Sequence, residues 1–166
     1  IILPLLEQND VSSNDKKIRF IEIIKKISGN LESNNIQLHL ETSLKPEEEY
    51  QLLKELNHDK VRICFDMGNS TSFGYSSQNA INTVRDFLGS VHIKDRTLNG
   101  PSVPLGQGSV KFLEVFTALK DIKFDGPYSF QVYRNKDSDN IVLLRESLMF
   151  INNIISQIYD GEFQKN

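Results

Sequence analysis

The chain has 166 residues, 39% hydrophobic and 25% charged, which is enough for one domain with a buried core and lies outside the composition of disordered segments. A net charge of −3 gives no general attraction to nucleic acid or to an anionic membrane, so a small neutral or anionic ligand is the better expectation. The single cysteine, Cys64, excludes an intrachain disulfide and falls in an apolar strand, as expected of a core residue in a reduced, cytoplasmic compartment. No run reads as the 18 or more apolar residues of a membrane span, so no membrane partner is expected.

The first strand, IILPLL, ends at Glu7. Phe20, Ile24, Ile27 and Leu31 then recur at helical spacing, with Asn14 or Asp15 as the expected cap. A second strand, IQLHL, ends at Glu41. Pro46 followed by Glu47, Glu48 and Glu49 marks the start of a helix carrying Leu52, Leu53 and Leu56, because proline presets φ and acids favour a helix N-terminus. VRICF leads to Asp66. The Asn- and Ser-rich stretch 69–80, with Ser70, Ser72, Gly74 and Tyr75, reads as a loop or loop-to-helix junction placed to cover a substrate, and Ile81, Val84 and Leu88 as the next helix. SVHIKD brings His92 and Asp95, and the Gly106-Gln107-Gly108 turn precedes a helix with Phe112, Phe116 and Leu119. PYSF ends at Gln131, and Ile141, Leu144, Leu148, Ile151, Ile155 and Ile158 form the stripe of a last helix.

Strands starting near residues 1, 36, 61, 90 and 127 lie about thirty residues apart, the length of a strand-plus-helix unit. Such alternation implies a parallel sheet. No G-x-G-x-x-G joins a strand directly to a helix, which argues against a dinucleotide fold. The expected fold is therefore α/β, a (β/α)8 TIM barrel present as its C-terminal five βα units, residues 1–166 being one domain. A full barrel needs at least about 200 residues, so the first three units are expected upstream of Ile1. Open edges on the first and last strands make a homo-oligomer a possible partner arrangement.

In a parallel barrel, the C-terminal strand ends open onto one face, so Glu7, Glu41, Asp66, His92 and Gln131 are expected to converge. Each has a plain alternative: Glu41 a solvated carboxylate, Asp66 part of a turn with Gly68 and Asn69, His92 a satisfied core imidazole. Two carboxylates and an imidazole on three consecutive strand ends suit Mn²⁺, Mg²⁺, Co²⁺ or Zn²⁺, with open positions for substrate oxygens. Lys94, Arg96 and Arg134 are candidates for holding a phosphate or carboxylate, with surface solvation as the competing reading. Glu7 is placed at the same mouth, whereas His39 sits one layer deeper in a structural role.

The segments HLETSLKPEE, CFDMGNSTSFG, VHIKDR and PLGQGSVKF, in this order and spacing, resemble the sugar phosphate isomerase/epimerase family of xylose-isomerase-like TIM barrels, over nearly the whole chain from IILPLLE to SFQVYR. The resemblance implies one divalent metal held by Glu41, Asp66 and His92, with the fourth place falling on Gln131, where the family has a glutamate. It also implies a small sugar or sugar-phosphate substrate contacted from the barrel mouth, with Glu7, Asn69, Lys94, Asp95, Arg96 and Arg134 as candidate contacts. Asn69 stands where some relatives have a substrate-binding histidine. Gln131 can still offer a carbonyl to a cation but cannot take up a proton, which argues against two-base epimerisation. The implied chemistry is proton removal next to a carbonyl by Glu41, through an enediolate, in an isomerase. A polyol or keto-inositol dehydratase and a non-catalytic carbohydrate-binding barrel are the alternatives. An apurinic-site endonuclease of the same superfamily would need more metal ligands than three histidines and this acidic balance suggest.

Overall fold

Residues 1–134 and 139–163 are described in the structure, a computed structural model. Strands β1 (Ile2–Leu5), β2 (Leu38–Thr42), β3 (Val61–Asp66) and β4 (Leu88–Ile93) are followed by a short antiparallel pair, β5 (Asp95–Arg96) and β6 (Ser102–Val103), and then by β7 (Tyr128–Phe130). The sheet runs β1-β2-β3-β4-β7 with every neighbouring pair parallel, so spatial order follows chain order, as a βα repeat requires. Its edges are β1 and β7. Helices α1 (Asn14–Ser33), α2 (Pro46–Leu56), α3 (Met67–Ser72), α4 (Ser77–Val84), α5 (Phe112–Asp121) and α6 (Asn140–Phe163) fill the crossovers and the C-terminal end.

Strand alternation divides the sheet into two faces. Leu38 and Leu40 of β2, Val61, Ile63 and Phe65 of β3, and Val91 and Ile93 of β4 join the buried apolar cluster with Ile24, Leu52, Leu53, Ile81, Val115 and Leu119 from the helices. The residues between them, His39 and Glu41, Cys64 and Asp66, Ser90 and His92, are also buried but lie outside that cluster. The opposite face is therefore polar. Burying a leucine such as Leu52, 0% exposed, contributes about 1.5–3 kcal/mol, so the helix-side face supplies much of the stability.

Four local expectations are corrected. The cap of α1 is Ser13, one residue before Asn14: its backbone is extended and its hydroxyl accepts from the Lys16 amide at 3.3 Å. The stretch 69–80 belongs largely to α3 and α4, which start because Asp66 and Ser76 side chains accept from the Asn69 and Asn79 amides, at 2.7 and 3.4 Å. Leu88 is the first residue of β4, because a single 3₁₀ turn over Arg85–Phe87 interrupts the helical pattern after Val84.

The fourth concerns the first half of α6: Ile151, Ile155 and Ile158 of the expected stripe pack on the core, but before them Leu143, Ser147 and Phe150 face inward and Ile141, Leu144 and Leu148 are exposed. Asn140–Ile158 also proves long and apolar enough, by length and composition, to cross a membrane, with a mean hydropathy of 1.3. In the structure, Phe150 of this helix packs edge-to-face on Phe112 of α5, at 5.1 Å between ring centroids. The start of α2 is as expected, with Pro46 at its first position and Glu48 accepting from the Lys45 amide at 3.1 Å.

Candidate active site

Register decides which polar residues meet. β2 and β3 pair Leu40 with Ile63, so the next position, Glu41, lies across from Cys64. β3 and β4 shift register between Ile63 and Cys64, after which Cys64 pairs with Ser90 and Asp66 with His92. Glu41, Asp66 and His92 are buried, 4%, 4% and 6% exposed. His92 Nδ1 lies 3.3 Å from Glu41 Oε2 and 3.8 Å from Asp66 Oδ2. Ligand atoms of Glu41, Cys64 and His92 fall within 4.8 Å of one another. Cys64 is the participant that sequence reading assigned to the core; its position two residues before Asp66 on one strand was the available signal.

Two buried atoms in this cluster, His92 Nδ1 and Asp66 Oδ2, make no hydrogen bond and are met only by opposite charges at 3.3–3.8 Å. The Asp66 carboxylate, followed by Cys64 and Glu41, pushes the His92 imidazole up to about 11 against the opposing effect of burial. The pocket thus favours positive charge at the point where the side chains converge. A divalent cation fits that preference and the donor set: carboxylate, imidazole and sulfur.

Surrounding groups fix the cluster. Asn69 donates from Nδ2 to Glu41 Oε1 at 2.8 Å, and its Oδ1 accepts from Arg96 Nη1 at 2.9 Å. Arg96 also donates from Nε and Nη2 to the Gly100 carbonyl, at 2.9 and 2.7 Å. Asn69 and Arg96, expected at the substrate, are therefore tied to Glu41 and to a loop carbonyl. Lys94 Nζ stands 3.5 Å from Asp66 Oδ2 and donates to Gln131 Oε1 at 2.8 Å, so the Gln131 amide oxygen is engaged by an ammonium. The Lys94 side chain lies against Gly68, where a Cβ would come within 2.9 Å of Lys94 Cγ.

Asp95 is used differently from the expected substrate contact. It is 1% exposed, and its carboxylate accepts from the amides of Gly106 and Gly108 at 2.9 Å and Val110 at 3.2 Å. The Gly106-Gln107-Gly108 segment is wrapped around this carboxylate so closely that a Cβ at Gly108 would collide with it. Glu7, at the turn after β1, and Arg134, after β7, are exposed. His39 lies one layer below, with Nδ1 2.7 Å from Ser90 Oγ and Nε2 3.1 Å from Gln37 Oε1, and burial, then the N-terminus and Arg62, lower its pKa. Next to the site, Thr42, Glu49, Cys64 and Ser70 help line a cavity of about 20 Å³, where Thr42 Oγ1 donates to Glu49 Oε1 at 2.7 Å and burial pushes the Glu49 carboxyl up to about 7.

Consecutive parallel βα units with acids and an imidazole gathered at their strand ends define an α/β barrel scaffold with a polar site on its inner face. The chain belongs to the xylose isomerase-like TIM barrel family, whose model matches residues 2–154. In structure it is similar to a xylose isomerase domain protein from Planctomyces limnophilus, with a TM-score of 0.79 and 20% identity over 96% of this chain and 61% of that one. An L-ribulose 3-epimerase structure matches with a TM-score of 0.77 and 17% identity over 93% of this chain and 59% of that one. In sequence, the chain is 24% identical over 116 residues to an uncharacterized protein of Methanocaldococcus jannaschii, covering 68% of this chain and 40% of that protein. The chain thus spans less than two thirds of the length of each.

Proposed function

We propose that this chain carries the metal site and catalytic base of a sugar or sugar-phosphate isomerase/epimerase, with Glu41 removing a proton next to a substrate carbonyl. The observation that carries the reading is the buried Glu41 carboxylate, held by Asn69 at 2.8 Å and 3.3 Å from His92 Nδ1, which makes no hydrogen bond. Glu41, Asp66 and His92 would hold one divalent ion, and that ion would supply Lewis-acid polarisation of the carbonyl as the proton leaves. Asn69 fixes one Glu41 oxygen and so orients the carboxylate toward the substrate. Lys94, at the rim beside Asp66, supplies positive charge for an anionic substrate group.

Gln131 has no proton-accepting carboxylate, so proton transfer between adjacent carbons by one base, an isomerisation, is the preferred outcome over two-base epimerisation. The test is a titration of full-length protein with Mn²⁺, Mg²⁺, Co²⁺ and Zn²⁺, coupled to NMR of ketoses and ketose phosphates in D₂O. One bound ion, deuterium uptake next to the carbonyl, and a loss of about 10²- to 10⁴-fold in uptake on Glu41→Gln are expected. Activity in ion-free protein refutes the mechanism. Water loss from substrate assigns a dehydratase, and binding without turnover or exchange assigns a carbohydrate-binding barrel.

A further inference from the structure

We infer that Cys64 is itself a metal ligand, its thiolate joining Glu41 and His92 so that the site selects a borderline-soft ion, Zn²⁺ or Co²⁺, over Mg²⁺ or Mn²⁺. The inference rests on the proposed metal site and specifies its donor set and ion.

Three observations carry it. Ligand atoms of Glu41, Cys64 and His92 lie within 4.8 Å of one another, close enough to share one ion. The register explains this proximity, because extending the Leu40 to Ile63 pairing by one residue sets Glu41 opposite Cys64, not opposite Asp66. Cys64 is 2% exposed yet absent from the apolar cluster that takes in Ile63 and Phe65 on either side, so its side chain belongs to the polar face.

A second feature points to a ligand at the same spot. The His92 side chain is 8% exposed, and its buried Nδ1, 3.3 Å from Glu41 Oε2, lacks a hydrogen-bond partner. An imidazole nitrogen without a hydrogen bond, facing a carboxylate and a thiol, has the donors of an N/O/S metal site with room left for substrate. The Gln131 amide oxygen, meanwhile, is already occupied, accepting from Lys94 at 2.8 Å. A thiolate adds negative charge to the cluster, and soft sulfur shifts preference away from Mg²⁺ and Mn²⁺, which favour oxygen.

The experiment is absorption spectroscopy of the full-length protein, prepared reduced and ion-free, titrated with Co²⁺. A near-ultraviolet thiolate-to-cobalt charge-transfer band is expected to grow to one equivalent, and competition should place Zn²⁺ at least about 10²-fold tighter than Mg²⁺. Cys64→Ser is expected to abolish the band while the visible cobalt bands of the remaining ligands persist at higher Co²⁺. In a longer chain with additional cysteines, a band that survives Cys64→Ser overturns the inference. Stoichiometric Co²⁺ with visible bands but no charge-transfer band also overturns it, while leaving the metal-dependent reading intact. No Co²⁺ uptake overturns both. Should Cys64→Ser fail to fold, ¹¹³Cd NMR of the unsubstituted protein decides: a resonance in the sulfur-ligated range supports the thiolate, and one in the all-oxygen and nitrogen range overturns it.

Discussion

Asp95→Ala separates a loop-organising carboxylate from a substrate-binding one. In the structure, the Asp95 carboxylate receives the amides of Gly106, Gly108 and Val110 at 2.9, 2.9 and 3.2 Å, while the residue itself is 1% exposed. Truncation leaves these donors without their acceptor, and hydrogen bonds to a charged group contribute about 1.5–3 kcal/mol each. Gly106 is exposed and recovers water, so we take the low end and expect a loss of about 3 kcal/mol. With the usual dependence on denaturant, that is a fall in the unfolding midpoint on the order of 1 M urea. Asp95→Asn keeps one acceptor oxygen and should lose about half as much. Equilibrium urea unfolding of both variants, followed by fluorescence and circular dichroism, is the assay. An unchanged midpoint in Asp95→Ala together with weakened substrate affinity would refute the assignment.

Asn69→Ala removes the 2.8 Å bond that orients Glu41, and should weaken metal binding about 10- to 100-fold, the usual cost of losing a group that supports a ligand; unchanged affinity by calorimetry would contradict that role. Glu49 predicts a pH effect. Its carboxyl rises from 4.5 to about 7 on burial, so the folded protein binds a proton more tightly than the unfolded chain. The associated stability is fully present below pH 4.5 and disappears as pH rises to about 7, amounting to about 3 kcal/mol at most. Glu49→Gln should remove this downward slope, measured as the difference between variant and parent unfolding free energies across that window; parallel pH curves would count against it.

The repeat of strand and helix was legible because it rests on spacing. Apolar positions such as Leu38, Leu40, Ile63 and Val91 alternate with polar ones, and alternation alone assigns their faces. Glu41, Asp66 and His92 were legible as strand-end residues for the same reason. What sequence could not provide was the offset between strands. Cys64 looked like core because its neighbours are apolar, and only the pairing of β2 with β3 moves it beside Glu41. The partners of Asp95 and Asn69 were hidden for a related reason. Both looked like groups facing a ligand, but their partners are backbone amides at Gly106 and Val110 and a side chain at Glu41, contacts set by loop path and not by periodicity. Capping was legible at Pro46 and misjudged at α1, where Ser13 and Asn14 are both capable and one residue decides the boundary.

Gly68 shows how a missing side chain can locate a charge. With only hydrogen at its α-carbon, residue 68 leaves a slot into which the aliphatic stem of Lys94 drops, and the methyl of an alanine would already overlap that stem. The ammonium that reaches both Asp66 and Gln131 is thereby anchored from beneath, steric allowance at residue 68 adding to the attraction of its two partners. A larger residue at this point would swing the lysine outward and redraw the electrical profile of the rim without altering a single ionisable group.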